Sequence, residues 1–205
     1  MDSGIKNTLL GIAGFIALVM GLFLYTFFAA RGELTDEQYA ELGYYKFENP
    51  RSLVDFSLVD EQGDPVSLAN LEGQWSLLFF GFTYCPDICP TTMGVLSRAV
   101  QRMEDDPQVI LVSVDPERDT PEQLRAYLPA FNPAFKGYTG EFDEIVKLAS
   151  QLNIAFGKVP GPSPGTYLVD HSASIVVVDP EGRYAGFIKA PHDEVKIKTI
   201  MESLI

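Results

Sequence analysis

Three short runs without a charge, Leu77-Leu-Phe-Phe80, Val109-Ile-Leu-Val112 and Ile175-Val-Val-Val178, constrain this chain more than any other feature. Each is β-branched or aromatic and bounded by turn-forming residues, the pattern of a strand covered on both faces of a sheet. Helical spacings fall between them: Met93, Leu96, Val100 and Met103 share one face, as do Ile145, Leu148, Ala149 and Leu152, and later Ile197, Ile200, Met201 and Leu204. Thr120-Pro-Glu-Gln123 supplies a capping box with proline at the first helical position, which predicts a further helix over residues 120–128. Two hairpins complete the pattern. Phe56-Ser-Leu-Val59 and Val66-Ser-Leu68 flank one turn, and Asp179-Pro-Glu-Gly182 joins the third buried run to Tyr184-Ala-Gly-Phe-Ile188 at the sheet edge. Strands alternating with helices make an α/β domain.

Ahead of the domain, residues 8–30 form 23 consecutive positions without a charge, flanked by Lys6 and Arg31. A helix of that length spans ~35 Å, enough for the hydrocarbon layer. A cleaved signal peptide has a shorter apolar core and small residues at alternate positions before its cut, and Phe28-Ala-Ala30 fits that poorly. One transmembrane helix is therefore expected, with an anchor over 1–31, a linker or short juxtamembrane helix over 32–50, and the domain over 51–205. Lys6 and Arg31 nearly cancel, so charge alone does not set the topology. Beyond Arg31 stand 13 basic and 27 acidic residues. Such a surface repels nucleic acid and anionic headgroups, which excludes nucleic-acid binding.

The chain has two cysteines, Cys85 and Cys89, both in Gly81-Phe-Thr-Tyr-Cys-Pro-Asp-Ile-Cys-Pro90 directly after the first buried run. A strand hands over to a helix there, where unpaired N–H groups and the helix dipole favour a thiolate. Positions i and i+4 of a first helical turn lie on one face, so both sulfurs can bond each other or converge on one ion. A redox dithiol usually has two residues between its cysteines; the third residue here loosens the pair and makes room for a metal. A purely structural disulfide closing so short a loop removes little chain entropy. The element order with a dithiol at the first βα junction is that of a thioredoxin-like fold carrying an N-terminal β-hairpin extension.

Two thiolates alone make a poor closed site, and the chain offers two histidines. His171 lies just before the third buried run, in the loop that faces the dithiol in a thioredoxin-like fold. Two soft sulfurs and one imidazole suit copper, Cu(I) or Cu(II), better than zinc, which usually takes a fourth ligand. Asp87, between the cysteines, and Asp170, beside His171, are candidates to accept hydrogen bonds from the ligands. His192 follows Pro191 near the start of the last helix, where a solvated or capping role is expected. A peroxidase reading is disfavoured, because Thr83 stands only two residues ahead of Cys85 and no proline lies between Gln74 and Tyr84.

Together with Ser113-Val-Asp-Pro-Glu-Arg-Asp-Thr120 and Val169-Asp-His-Ser172, the cysteine motif resembles the Sco/SenC family of membrane-anchored copper proteins. The resemblance runs from about residue 53 to residue 205. It implies copper on Cys85, Cys89 and His171, and a metallochaperone rather than an enzyme, which serves the dinuclear copper site of cytochrome c oxidase. Its implied partners are the copper-accepting oxidase subunit, copper donor proteins and thiol-disulfide reductants. It also implies a single-pass protein of the inner, cytoplasmic membrane with its domain on the periplasmic side. A thiol-disulfide reductase using Cys85 and Cys89 is the alternative. The middle motif reads by itself as a strand exit, a turn and a helix cap, with Asp115 and Glu117 placed at the end of the sheet where ligands and partners gather.

Overall fold

The structure, a computed structural model, describes residues 3–29, 34–161, 163 and 165–205. They divide into two units, Met1–Leu34 and Thr35–Ile205. The first is a single 27-residue helix, α1 (Ser3–Ala29), with Leu10, Phe15, Leu18, Leu22 and Phe23 all exposed. Among the described residues no helix is long and apolar enough to cross a membrane. The expected anchor over 1–31 includes residues 1, 2, 30 and 31, which lie outside the described ones.

The second unit opens with α2 (Asp36–Leu42), β1 (Tyr44–Ser52), β2 (Leu58–Asp60), β3 (Pro65–Val66) and β4 (Ser76–Gly81). There follow α3 (Ile88–Val100), β5 (Gln108–Ser113), α4 (Pro121–Tyr127), β6 (Lys136–Thr139) and α5 (Phe142–Gln151). The chain closes with β7 (Phe156–Pro160), β8 (Tyr167–His171), β9 (Ile175–Val178), β10 (Arg183–Ile188) and α6 (Glu194–Leu204). Eight strands form one sheet in the order β1-β10-β9-β4-β5-β6-β2-β3. β4 and β5 are parallel, as are β5 and β6, whereas β9 runs antiparallel to β4.

The three predicted runs are the three central strands. Leu77, Leu78, Phe79 and Phe80 are completely buried, as is every residue of β9, and each such side chain contributes about 1.5–3 kcal/mol by leaving water. Helices α3 and α6 pack on each other and α4 packs on β6. Helix α3 buries Cys89, Met93, Leu96 and Val100 but stops at Val100, so Met103 lies in the turn beyond it. Helix α4 likewise gives way at Leu128 to a tighter turn over Leu128–Ala130 containing Pro129.

Three features differ from the expected layout. The β2–β3 hairpin forms, but β2 also pairs with β6, so the extension is part of the large sheet. The β9–β10 hairpin is not at the edge, because β1 pairs outside β10. Finally, the stretch read as a linker or short juxtamembrane helix over 32–50 does hold a short helix, α2, but also most of β1, and the compact unit starts at Thr35. A closed capping box between Thr35 and Gln38 starts α2, and Gly43 at φ 88° ends it. Tyr39 and Tyr44, both 1 % exposed, meet edge to face at 5.2 Å and hold the segment down.

Candidate metal centre

Strand β4 ends at Gly81, and a turn closed by the Cys85 N–H donating to Phe82 O at 3.2 Å leads into α3. Cys89 sits in the first turn of that helix, whose N–H groups lack partners within the helix. Its own N–H points at Cys85 Sγ, 3.4 Å away. The two sulfurs are unbridged, Cys85 half-buried and Cys89 fully buried. Gly81 makes the approach feasible: a Cβ there would stand 2.9 Å from Cys89 Sγ and 3.0 Å from the Phe79 ring.

His171 arrives from the opposite side, at the end of β8 and paired across the small β7–β8 sheet with Phe156. Its Nε2 lies 3.4 Å from Cys89 Sγ, and its Nδ1 lies 3.2 Å from Ser172 O. A carbonyl only accepts, so the bond assigns the proton to Nδ1 and turns the Nε2 lone pair toward the sulfurs. Phe79 and Phe82 stand edge to face against the imidazole at 5.8 and 6.1 Å and wall it in. The Sγ atoms and a histidine nitrogen all lie within 4.8 Å of one another.

The sulfurs are electrostatically unequal. A hydrogen bond from the Cys89 thiol brings Cys85 down to about 4 against the effect of burial, helped by the backbone N–H groups of Asp87 and Cys89. Cys89 is pushed far up, first by that same bond to Cys85 and then by burial. The pair therefore holds one half-buried thiolate and one buried thiol, which suits metal capture and disulfide chemistry alike.

The carboxylates expected beside the ligands are placed differently. Asp87 occupies the N-cap position of α3 with its side chain exposed and uncapping. Asp170 points to the opposite face of β8 from His171, as strand alternation requires, and is exposed. Among the described residues neither carboxylate bonds a ligand side chain; the Ser172 carbonyl orients His171 instead. His192 neither caps nor stands free. Asp193 caps α6 by accepting from Val195 N and Lys196 N at 2.9 and 3.0 Å, whereas His192 Nε2 donates to Ala173 O at 2.6 Å, and burial holds its basicity down.

Asp119 is the residue that the sequence hides. Fully buried, it accepts from Thr83 N at 3.1 Å, Thr83 Oγ1 at 2.6 Å and Ser113 Oγ at 2.8 Å, tying the dithiol loop to the end of β5. Burial raises its pKa and these bonds oppose the rise. Its position next to the helix cap Thr120 masks this role. The capping box at Thr120 is half made for the same reason: Gln123 N donates to Thr120 Oγ1 at 3.3 Å, while the Gln123 side chain turns to Thr83 Oγ1.

Known proteins share both the fold and the sequence. The crystal structure of Arabidopsis thaliana ScoI with copper bound is 35 % identical, with a TM-score of 0.68 over 73 % of this chain and 96 % of that one. The structure of BsSco, described as a member of the Sco family of cytochrome c oxidase assembly proteins with a disulfide switch, is 25 % identical, with a TM-score of 0.58 over 77 % of this chain and 97 % of that one. Mitochondrial SCO2 of Saccharomyces cerevisiae is 36 % identical over 144 residues, 68 % of this chain and 48 % of that protein, so the match spans about half its length. The SCO1/SenC family model matches residues 47–205, from the edge strand to the last helix, and on that extent the chain belongs to the SCO1/SenC family.

Proposed function

We propose that this protein is a copper metallochaperone that holds copper on Cys85, Cys89 and His171 and passes it to the dinuclear copper site of cytochrome c oxidase. The observation that carries this reading is the convergence of two sulfurs and one imidazole nitrogen within 4.8 Å, a soft donor set matched to copper. The copper-bound Arabidopsis relative and the description of BsSco support the cargo and the destination. Cys85, half-exposed and ionised, meets the incoming ion. Cys89 gives up its proton as the ion enters, and the Nε2 lone pair of His171 completes the set. With only three protein ligands, a cysteine or histidine of the acceptor subunit can join before one of them leaves, so transfer proceeds by ligand exchange.

The uncharged stretch over residues 8–30, ~35 Å long as a helix, anchors the domain in the cytoplasmic membrane, with the domain on the periplasmic side. Anchoring donor and acceptor in one membrane raises their effective concentration, so a modest affinity suffices. Protease added to spheroplasts should degrade the domain; protection until lysis refutes this placement. Copper titration of the reduced full chain, followed by sulfur-to-copper charge-transfer absorption, tests the site. His171→Ala should weaken binding strongly, and undiminished affinity overturns the ligand assignment.

The unequal sulfurs favour one second reading, a thiol-disulfide reductase. Cys85 thiolate attacks a partner disulfide, forming a mixed disulfide and releasing one partner thiolate. Cys89, deprotonated, then attacks Cys85 Sγ; the second partner thiolate leaves, and the Cys85–Cys89 disulfide carries the two-electron oxidation. This route needs no imidazole, so His171→Ala retains reduction under this reading while losing copper under the first.

A further inference from the structure

Residues 113–120 do more than end a strand and start a helix. Asp115, completely buried, accepts from the Tyr167 hydroxyl at 2.9 Å with one oxygen and from Arg118 Nε with the other. Arg118 Nη1 donates to the Tyr167 carbonyl at 3.3 Å, and the guanidinium lies 3.9 Å from the centre of the Tyr167 ring. The same guanidinium lies 5.0 Å from the Tyr84 ring and 5.6 Å from the Phe82 ring, both in the dithiol loop. One side chain thus touches both segments that carry the three candidate ligands.

The strand it grips is held to the domain by side chains: besides this contact, Val169 is buried, Phe156 on the paired strand meets Phe142 at 5.9 Å and Lys158 pairs with Glu117. β7 and β8 form a sheet of their own, and among the described residues no backbone hydrogen bond joins residues 156–171 to the large sheet. Tyr167 and His171, four residues apart, project from the same face of β8. The separation is ~13 Å, so a tilt of ~10° about Tyr167 displaces His171 by roughly 2 Å, about ten times the ±0.2 Å tolerance of a metal–ligand distance.

We propose that Asp115 and Arg118 form a bracket that grips β8 through Tyr167 and thereby sets the reach of His171 to the two sulfurs. Arg118 is a positioning residue, not a ligand. The inference rests on the reading of Cys85, Cys89 and His171 as the copper site. Its means is shape: a planar fork can stack on a ring and donate in two directions at once, and an ammonium cannot. Among the described residues Arg118 Nη2 is buried without a partner, so the guanidinium lies where it spans the two segments rather than where all its donors are met.

The test uses the reduced full chain carrying Arg118→Met or Arg118→Lys, each with and without His171→Ala. Arg118→Met should weaken Cu(II) binding by about 10- to 100-fold, the usual effect of removing a group behind a metal ligand, and should erase the imidazole-nitrogen coupling from the copper spin-resonance spectrum. Arg118→Lys should behave like the methionine variant. With His171 already replaced, neither change should weaken copper further. In the metal-free protein, amides of residues 167–171 should exchange faster while those of β4 and β9 stay protected. Tyr167→Phe, which removes only the hydroxyl held by Asp115, should do the same more weakly and covers an unstable arginine variant. Unchanged exchange, restoration by lysine, or equal weakening with and without His171 each overturn the bracket. Undiminished copper binding in His171→Ala alone sinks the copper reading instead, and the exchange measurement still decides the bracket.

Discussion

The two halves of the metal centre are built by different means. Cys85 and Cys89 hang between β4, buried along its whole length, and a helix that packs on α6, so their placement follows from backbone that the core fixes on every side. His171 hangs from a two-stranded sheet that side chains attach to the domain, with no backbone hydrogen bond to the large sheet among the described residues. The contrast teaches that one half is a property of the fold and the other a property of a few contacts. Perturbing the first should damage stability and site together, and perturbing the second should damage the site with little change in stability.

The largest expected effect comes from Phe79→Ala. Phe79 is completely buried in β4 and also walls His171, and truncating a core phenylalanine costs about 3–5 kcal/mol. Denaturant unfolding should show that loss, with copper binding weakened in parallel. A stable Phe79→Ala protein with a damaged site would break the comparison from the fold side.

Asp119→Ala comes next. It strands the half-buried Thr83 and fully buried Ser113 hydroxyls that now donate to the carboxylate, and hydrogen bonds to a charged group are worth about 1.5–3 kcal/mol each. Asp119 anchors the dithiol loop and not the hairpin. Hydrogen exchange should therefore quicken over residues 82–89 and stay unchanged over residues 167–171.

A pH effect of intermediate size follows from the sulfurs. In the folded protein Cys85 is held at about 4, against 9.0 for an ordinary thiol. Between those values the unfolded chain binds a proton that the folded one does not, so stability of the reduced, metal-free protein should fall as pH is lowered from 9 toward 4. Cys89, shifted upward, is protonated in both states across that window and adds nothing there. Solvent screening at half-buried Cys85 damps the slope. Unfolding midpoints at pH 5 and pH 8 should differ less in Cys85→Ser. Iodoacetamide should label Cys85 rapidly at pH 6 and leave Cys89 unlabelled; equal labelling would erase the asymmetry of the pair.

The same contrast explains what the sequence could reveal. The runs at Leu77, Val109 and Ile175 are legible because full burial keeps charged residues out of a central strand, and the cysteine spacing is legible because helix geometry fixes it locally. His171 was reachable through fold logic, since its loop abuts the dithiol. β1 was not legible: Lys46, Glu48, Asn49 and Pro50 suit an edge strand and a tether equally, and the tyrosines that hold it pack only in three dimensions. Asp87 and Asp170 looked like ligand partners because side chains are visible in a sequence and carbonyls are not; Ser172 O does that work. Gly81 and Asp119 escaped for a related reason, as close approach to Cys89 and bonds to Thr83 belong to contacts rather than to residue type.

The smallest expected effect tests the hairpin half most sharply. His192 Nε2 donates to the carbonyl of Ala173, two residues beyond His171, and so pins the end of the segment opposite to the one Tyr167 holds. His192→Phe keeps the ring but removes the donor, leaving that carbonyl without its partner at a net cost of about 0.5–1.5 kcal/mol. Because β9 follows directly and is completely buried, the lost bond should loosen only residues 171–174. Unfolding should shift slightly, while copper affinity falls by more than the stability change implies and falls no further when His171 is already alanine. If His192→Phe lowers stability and leaves copper affinity untouched, the loop end is set by β9 alone, and the side-chain control of His171 is confined to the Tyr167 end of the strand.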